Sequence, residues 1–169
     1  RVRSSAASDV YKRQHLNTGR PDPDSHSFNR YSSNYLDMSN EPLYPFGYGL
    51  SYTNFSYGNL QLSSDVLSRN GELTVSVTVT NDGDFDGYEI VQMYLHDIYA
   101  EISRPVKELK GFERIFLKKG ESREVKFVIT EDDLRFYNSG LQYVYEPGEF
   151  DVMVGANSRD VQTERFRAD

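Results

Sequence analysis

The chain has 169 residues, enough for about one domain, and it carries 19 Lys and Arg against 26 Asp and Glu. The net charge of -7 and the lack of a basic cluster interleaved with aromatic residues argue against a nucleic acid partner. The absence of Cys excludes disulfides, thiolate metal sites and cysteine nucleophiles, and no apolar run approaches the roughly 20 residues of a membrane span.

Residues 1–14 (RVRSSAASDVYKRQ) differ in character from the rest of the chain. They show no hydrophobic periodicity, and they hold four basic residues against a single acid, Asp9. The string resembles a translated sequencing adapter, so we predict that it is not native sequence and leave it out of the fold prediction.

Residues 15–57 are rich in Asn, Ser, Pro, Gly and Tyr. Pro21, Pro23, Pro42 and Pro45 favour extended or turning backbone over helix. A stretch of this length without its own helices or strands is uncommon inside a compact domain. We therefore predict a long extended linker that packs against a part of the protein absent from this sequence.

The pattern changes to strands from Asn59 onward. Glu72 to Thr80 (ELTVSVTVT) alternates apolar and hydroxyl side chains, the period of a half-buried strand. After the turn residues of 81–83, Tyr88 to Leu95 (YEIVQMYL) alternates again and predicts a second core strand.

One more long strand and several shorter elements follow. Lys107 to Leu117 predicts a strand with four side chains available for burial, namely Leu109, Phe112, Ile115 and Leu117. Further strands are predicted over 123–130, 135–137, 141–145, 149–155 and 163–167, with one helical turn at 131–134. Seven or eight strands at this spacing favour an all-β fold, an immunoglobulin-like β-sandwich.

Few residue patterns suggest chemistry. Asp82 to Gly87 (DGDFDG) matches the start of an EF-hand loop, but position 12 is Met93 instead of the closing Glu, so we interpret it as a solvated turn. The three His residues lack a second ligand at metal spacing, and no nucleophile elbow, phosphate loop or dinucleotide fingerprint is present. We predict no metal, no cofactor and no catalytic residue.

The most distinctive segment is Leu43 to Thr53 (LYPFGYGLSYT), in which four rings are separated by Pro and Gly. Rings on a tightly turning backbone form a platform that packs against apolar surface or stacks on a sugar. The sequence leaves both interpretations open, packing between domains and direct contact with substrate.

Seven strings together resemble, in order and spacing, the C-terminal region of bacterial β-glucosidases of glycoside hydrolase family 3. They are NTGRP (17–21), LYPFGYGLSYT (43–53), VTNDG (79–83), VQMYL (91–95), RPVKELKGF (104–112), LKKGES (117–122) and EPGEFDVMVG (146–155). In that family a (β/α)8 domain carries the Asp nucleophile, an α/β-sandwich domain typically carries the Glu acid/base, and a fibronectin type III-like domain follows.

The resemblance implies a division of the chain. Residues 15–57 correspond to the tail of the α/β-sandwich domain and the linker, and residues 58–169 to the fibronectin type III-like domain. Neither catalytic motif is matched, so no catalytic residue is carried over. Arg20, Tyr44, Phe46 and Tyr48 become candidates for the interdomain surface or the rim of the substrate site.

The resemblance also implies a function. We expect a noncatalytic accessory domain of a β-glucosidase whose intact form hydrolyses terminal β-D-glucosyl residues with retention. The expected partners are the upstream catalytic domains and, for the whole enzyme, a β-glucoside or oligosaccharide; the expected location is periplasmic or secreted. The alternative is an independent carbohydrate-binding or adhesion module, which requires exposed aromatic residues on the sandwich itself.

Overall fold

The computed structural model describes residues 43–102 and 104–169, and within them eleven strands and one helical turn. Because the strands are rich in Val, Ile, Thr and aromatic residues, the sequence favours sheet over helix throughout. The strands are β1 (Phe55–Tyr57), β2 (Gln61–Leu62), β3 (Val66–Leu67), β4 (Glu72–Asn81), β5 (Gly87–Asp97), β6 (Glu108–Leu117), β7 (Ser122–Thr130), β8 (Phe136–Tyr137), β9 (Tyr143–Val144), β10 (Gly148–Gly155) and β11 (Val161–Ala168). Helix α1 is Glu131–Leu134.

Two sheets make up the sandwich. In the first, β4 pairs with β7 on one side and with β1 and then β2 on the other, all antiparallel. The second has the order β3-β11-β10-β5-β6, antiparallel except for the β3-β11 pair. A separate pair, β8-β9, follows α1. The predicted all-β sandwich is thereby confirmed.

The core lies between the two sheets and is built from alternate residues of each long strand. The inward residues of β4 are Leu73, Val75, Val77 and Val79, and those of the facing sheet include Val91, Met93, Leu95, Val152 and Val154. Phe150 and Phe166 stack with their ring centroids 5.6 Å apart. Alternation fixes the register, because a shift by one residue would turn each apolar set toward solvent.

One predicted core residue is wrong. Phe112 is 68% exposed, whereas Ile115 and Leu117 of the same strand are buried. Over residues 111–117 of β6 the buried side chains are Ile115 and Leu117, both at odd positions, and Gly111 lies on the same side: it is opposite Met93, and a Cβ there would come within 3.2 Å of the Phe127 ring. Strict alternation therefore turns the neighbouring Phe112 outward.

The sandwich also includes one strand upstream of the predicted division. Residues 55–57 form β1, and the ladder pair of Phe55 with Asn81 places them in the first sheet. The division of the chain at residue 58 stays a prediction. Residues 1–42, which include Arg20, lie outside the described residues.

Candidate functional site: the aromatic segment and the sheet face beside it

Residues 43–53, here called the aromatic segment, turn sharply at Pro45 to Tyr48. The amide of Tyr48 donates to the carbonyl of Pro45 over 3.1 Å, and Gly47 has a φ of +78°. A positive φ at the third position is what a type II turn requires, and Gly adopts it without steric cost. The turn presents its main chain to the sandwich.

Gln92 on the outer side of β5 holds this turn in place. Its amide nitrogen donates to the carbonyls of Gly47 (3.1 Å) and Ala156 (2.6 Å), and its amide oxygen accepts the Tyr94 hydroxyl. Gln92 is buried, so its three hydrogen bonds satisfy polar groups that would otherwise be desolvated without a partner. The turn and β5 are thus joined through one side chain.

A second attachment comes from the loop after β10. The amide of Ser158 donates to the carbonyl of Phe46 over 2.9 Å. The Phe46 ring meets Tyr94 edge to face with centroids 6.4 Å apart. Burial raises the pKa of Tyr94, so its hydroxyl stays protonated and remains a donor to Gln92 at physiological pH. Phe46 therefore packs on the sandwich itself.

The other rings of the aromatic segment face solvent. Tyr44 and Tyr48 lie with centroids 5.2 Å apart and are 52% and 44% exposed, and Tyr52 is almost fully exposed. Leu43 and Leu50 are also exposed. Of the four predicted site residues, the structure thus groups Tyr44 with Tyr48, separates Phe46 from them, and does not describe Arg20.

The end of the segment passes over the start of β5. A Cβ on Gly87 would meet the Thr53 methyl at 2.7 Å, so the chain passes closely over the start of the strand. Thr53 is buried, and its hydroxyl donates to the Asn81 side chain over 2.7 Å. The aromatic segment is therefore fixed to the sandwich at two points, by Gln92 at its central turn and by Asn81 at its last residue.

Gly47 allows a direct test of this attachment. We expect Gly47→Ala to detach the turn, because its Cβ would lie 1.9 Å from the Gln92 amide oxygen and the positive φ disfavours Ala. Chymotrypsin should then cleave after Phe46 about tenfold faster, since cleavage follows the population of the open segment. The matched control is Gly49→Ala, whose Cβ meets nothing within 4 Å. Equal cleavage rates in the two variants would contradict the attachment.

Glycoside hydrolysis by a retaining mechanism needs two carboxyl groups about 5 Å apart beside a sugar-sized cleft. A depression lined by residues 58, 59, 61, 76–78 and 124 encloses about 160 Å³, below the roughly 300 Å³ at which ligand pockets begin, and Glu124 is its one carboxylate. A small cavity of about 10 Å³ has Asp97, Glu108 and Asp133 in its lining. Asp97 and Glu108 there accept hydrogen bonds from Arg104, and Asp133 caps α1.

The acidic turn that opens like an EF-hand is held by protein groups. Asp84 forms an ion pair with Lys119 over 2.7 Å, and Asp86 accepts the Lys119 amide over 2.8 Å. Among the residues that the structure describes, no group of three or more His, Asp and Glu side chains is placed to hold a metal ion. Asp82, Asp84 and Asp86 are exposed, as expected for a solvated turn.

A side-chain hydrogen bond joins the two sheets. The Tyr57 hydroxyl of β1 donates to Glu89 of β5 over 2.8 Å. Burial raises the pKa of Glu89, and the hydrogen bond from Tyr57 acts in the opposite direction. This pair ties the sheets together at the end of the sandwich where the aromatic segment joins it.

Comparisons with known proteins agree with the architecture. A family model described as a fibronectin type III-like domain matches residues 89–158. A periplasmic β-glucosidase of Salmonella typhimurium is 50% identical over 153 residues, which are 90% of this chain and 20% of the relative. A putative β-xylosidase of Formosa agariphila is 45% identical over 137 residues, 81% of this chain and 18% of the relative.

Solved structures give the same result. The β-glucosidase of Listeria innocua in complex with isofagomine superposes with a TM-score of 0.83 at 45% identity, covering 92% of this chain and 22% of that one. A family 3 β-glucosidase of Bifidobacterium adolescentis superposes with a TM-score of 0.68 at 37% identity, covering 75% of this chain and 18% of that one. The chain carries the fibronectin type III-like domain of a family 3 glycoside hydrolase.

This family 3 domain spans about a fifth of the length of the glycosidases that it matches. Within the described residues no helix is both long and apolar enough to cross a membrane. The sandwich also has exposed aromatic side chains, among them Tyr44, Tyr48 and Tyr52 of the aromatic segment.

Proposed function

We propose that the chain is a noncatalytic accessory domain of a β-glucosidase, and that the aromatic segment connects it to the catalytic domains upstream. The observation that carries this proposal is the segment's geometry. Its main chain is fixed to the sandwich through Gln92 and Ser158, while Tyr44, Tyr48 and Tyr52 remain exposed. Rings held rigidly on a surface and left uncovered are suited to contact a second surface.

The relatives support the same role. In the β-glucosidase of Salmonella typhimurium and the putative β-xylosidase of Formosa agariphila, the matched region is a fifth or less of the polypeptide. A retaining glycosidase needs its nucleophile and acid/base, and neither motif of the family is matched in this chain. The catalytic groups of the whole enzyme therefore belong to its other domains, and terminal β-D-glucosyl residues are the substrate class that we propose for that enzyme.

Under this proposal the rings of the aromatic segment have two different roles. Phe46 positions the segment by packing against Tyr94, and the exposed Tyr44-Tyr48 pair contacts the neighbouring domain. Arg20 is proposed to lie at the same interdomain surface. A periplasmic or secreted location is also proposed, supported by the periplasmic β-glucosidase of Salmonella typhimurium among the relatives.

The test compares this chain with a replacement chimera. In the chimera, the 153 aligned residues of the Salmonella typhimurium enzyme are exchanged for those of this chain. We expect the chimera to hydrolyse p-nitrophenyl β-glucoside and the chain alone to release no p-nitrophenol above the uncatalysed rate. Turnover by the chain alone would refute a noncatalytic role, and an inactive chimera that is folded would refute its place in the enzyme.

One observation favours the second candidate, a carbohydrate-binding module. Exposed aromatic side chains do occur on the sandwich, among them Tyr88 and Phe112. Titration of the chain with cello- and laminari-oligosaccharides distinguishes the two functions. Binding that survives removal of the Tyr44 and Tyr48 rings would support a module that recognises sugar by itself.

A further inference from the structure

The two outer faces of the sandwich have opposite character. On the first sheet the outward side chains of β4 and β7 are mainly hydroxyl and charged, and they pair across the ladder as Thr74-Val128, Ser76-Lys126 and Thr78-Glu124. On the second sheet the outward side chains of β5 and β6 are mainly apolar. Such a difference is typical of a sandwich with one face in water and the other covered.

The exposed apolar side chains of β5 and β6 on this face, here called the apolar strip, are Tyr88, Ile90, Phe112 and Phe116; Arg114 lies between Phe112 and Phe116 on β6, opposite Ile90 in the ladder. All four side chains are between 38% and 68% exposed. In the ladder Tyr88 lies opposite Phe116, with ring centroids 4.9 Å apart, and Phe112 lies opposite Gln92. The strip is confined to β5 and β6, because the same face carries the ion pair of Arg165 and Asp151 on β11 and β10.

The strip continues directly into the aromatic segment. Gln92, the ladder partner of Phe112, is the residue that binds the Gly47 carbonyl. Farther along β5 the strip ends at Tyr88, next to Gly87, over which Thr53 passes. The segment through which the chain enters the sandwich therefore lies along the same strand as the exposed apolar side chains.

Resting on the proposed function, we propose that the apolar strip is the docking surface for the upstream domains of the same polypeptide. About four fifths of the Salmonella typhimurium relative lies outside the matched region, so the missing part is large enough to cover the strip. Covering Ile90, Phe112 and Phe116 would remove apolar area from water, which is the main driving force for domain packing. The opposite, polar sheet face remains in solvent.

The chemistry of the strip fits a protein surface better than a sugar. Ile90, Phe112 and Phe116 offer no hydrogen-bond donor or acceptor on their side chains, whereas sugar sites combine a ring with several polar groups. Tyr88 has a polar hydroxyl group, but the Arg114 guanidinium lies 3.7 Å from the centroid of its ring and covers one face of the ring. A sugar could not stack on the same side of the ring.

The experiment uses paired double variants of the chimera and of the whole chain. The strip variant is Ile90→Ser with Phe112→Ser, and the control is Val128→Ser with Tyr137→Ser. The pairs match in exposure: Ile90 and Val128 are 47% and 48% exposed, and Phe112 and Tyr137 are 68% and 62% exposed. In the unfused chain both variants should keep the denaturation midpoint, because exposed substitutions change stability little.

In the chimera the two variants should differ in their rate of thermal inactivation. We expect the strip variant to lose β-glucosidase activity at elevated temperature about tenfold faster than the control, because the domain contact no longer slows unfolding. Equal inactivation rates in an active chimera would overturn the docking proposal and leave the accessory function standing. Loss of oligosaccharide binding by the unfused strip variant would also overturn it, in favour of a sugar site.

A second measurement does not depend on activity. Benzoylphenylalanine placed at position 112 of the chimera should form a photo-crosslink to a peptide upstream of the exchanged region, whereas the same group at position 137 should not. Mass spectrometry identifies the crosslinked peptide. A position-112 probe that reacts only with solvent, or only with the sandwich, would overturn the proposal even if the chimera were inactive.

Discussion

Replacement of Arg104 by Ala is expected to destabilise the domain by about 3–5 kcal/mol, the usual loss when one member of a buried ion pair is removed. The Arg104 side chain is 9% exposed and that of Asp97 is 4% exposed, with 2.9 Å between the guanidinium nitrogen and the carboxylate oxygen. The variant leaves the Asp97 carboxylate buried without its countercharge. That residual charge, more than the lost contact, causes the expected effect.

Arg104 also holds the long β5-β6 connection to the rest of the sandwich. Its guanidinium donates to Glu108 over 2.9 Å and to the Leu134 carbonyl over 3.3 Å, and it lies 4.8 Å from the centre of the Phe136 ring. Planar, forked donors make these contacts simultaneously, so Lys should restore only part of the stability. Glu108 retains a second partner, Lys110 at 2.8 Å.

Equilibrium unfolding in denaturant measures the effect, with Arg165→Ala as the matched control. Arg165 pairs with Asp151 over 2.8 Å, a similar length, but its side chain is 59% exposed. Exposed pairs contribute little, so the control should lose far less stability than Arg104→Ala. The double variant Arg104→Met with Asp97→Leu should recover much of the loss because no charge stays buried. Similar losses for Arg104→Ala and Arg165→Ala would contradict the argument.

The long strands could be predicted because burial on one face imposes a period of two. In Glu72 to Thr80 each apolar residue is followed by a hydroxyl residue, and the observed strand, Glu72–Asn81, extends the prediction by one residue. Strands β2 and β3 have two residues each, too few to show a period. Their positions depend on pairing with β4 and β11, which no local pattern reveals.

Phe112 shows the limit of inferring burial from side-chain type. A Phe in a strand usually predicts a core position, but here the inward place belongs to Gly111, where the Phe127 ring from the facing sheet fills the space. The signal that could have corrected the prediction is parity, since Ile115 and Leu117 fix odd positions as inward. An apolar residue at an even position then indicates an external contact, and this is the basis of the docking proposal.

The sequence predicts that the aromatic segment forms a platform of rings, but it does not predict which residues fix the segment to the sandwich. The alternation of rings with Pro and Gly is visible in the sequence, whereas Gln92 gives no local sign that it binds the Gly47 carbonyl 45 residues away. Its position between apolar residues on β5 predicts only an outward polar side chain. Long-range hydrogen bonds of this kind depend on the tertiary fold, so the sequence alone left the role of Phe46 open.

Replacement of Asn81 by Ala is expected to lower the free energy of unfolding by about 3 kcal/mol, because several buried donors and acceptors lose the side chain to which they are hydrogen-bonded. Asn81 is fully buried, and its amide nitrogen donates to the carbonyls of Phe85 (2.8 Å) and Leu117 (3.1 Å). Its amide oxygen accepts the Thr53 hydroxyl and the Gly83 amide. The variant leaves several of these groups desolvated without partners.

Two further variants identify the source of the loss. Thr53→Val removes one of the four hydrogen bonds and should cost about 1 kcal/mol, whereas Thr80→Ala removes an exposed hydrogen bond to Ser122 and should cost less. In the double variant Asn81→Ala with Thr53→Val, the losses should fall short of additivity because the two residues share a contact. A loss below about 1 kcal/mol for Asn81→Ala alone would show that the turn is held by its main chain. Strict additivity in the double variant would show that the aromatic segment is not coupled to the turn through Asn81.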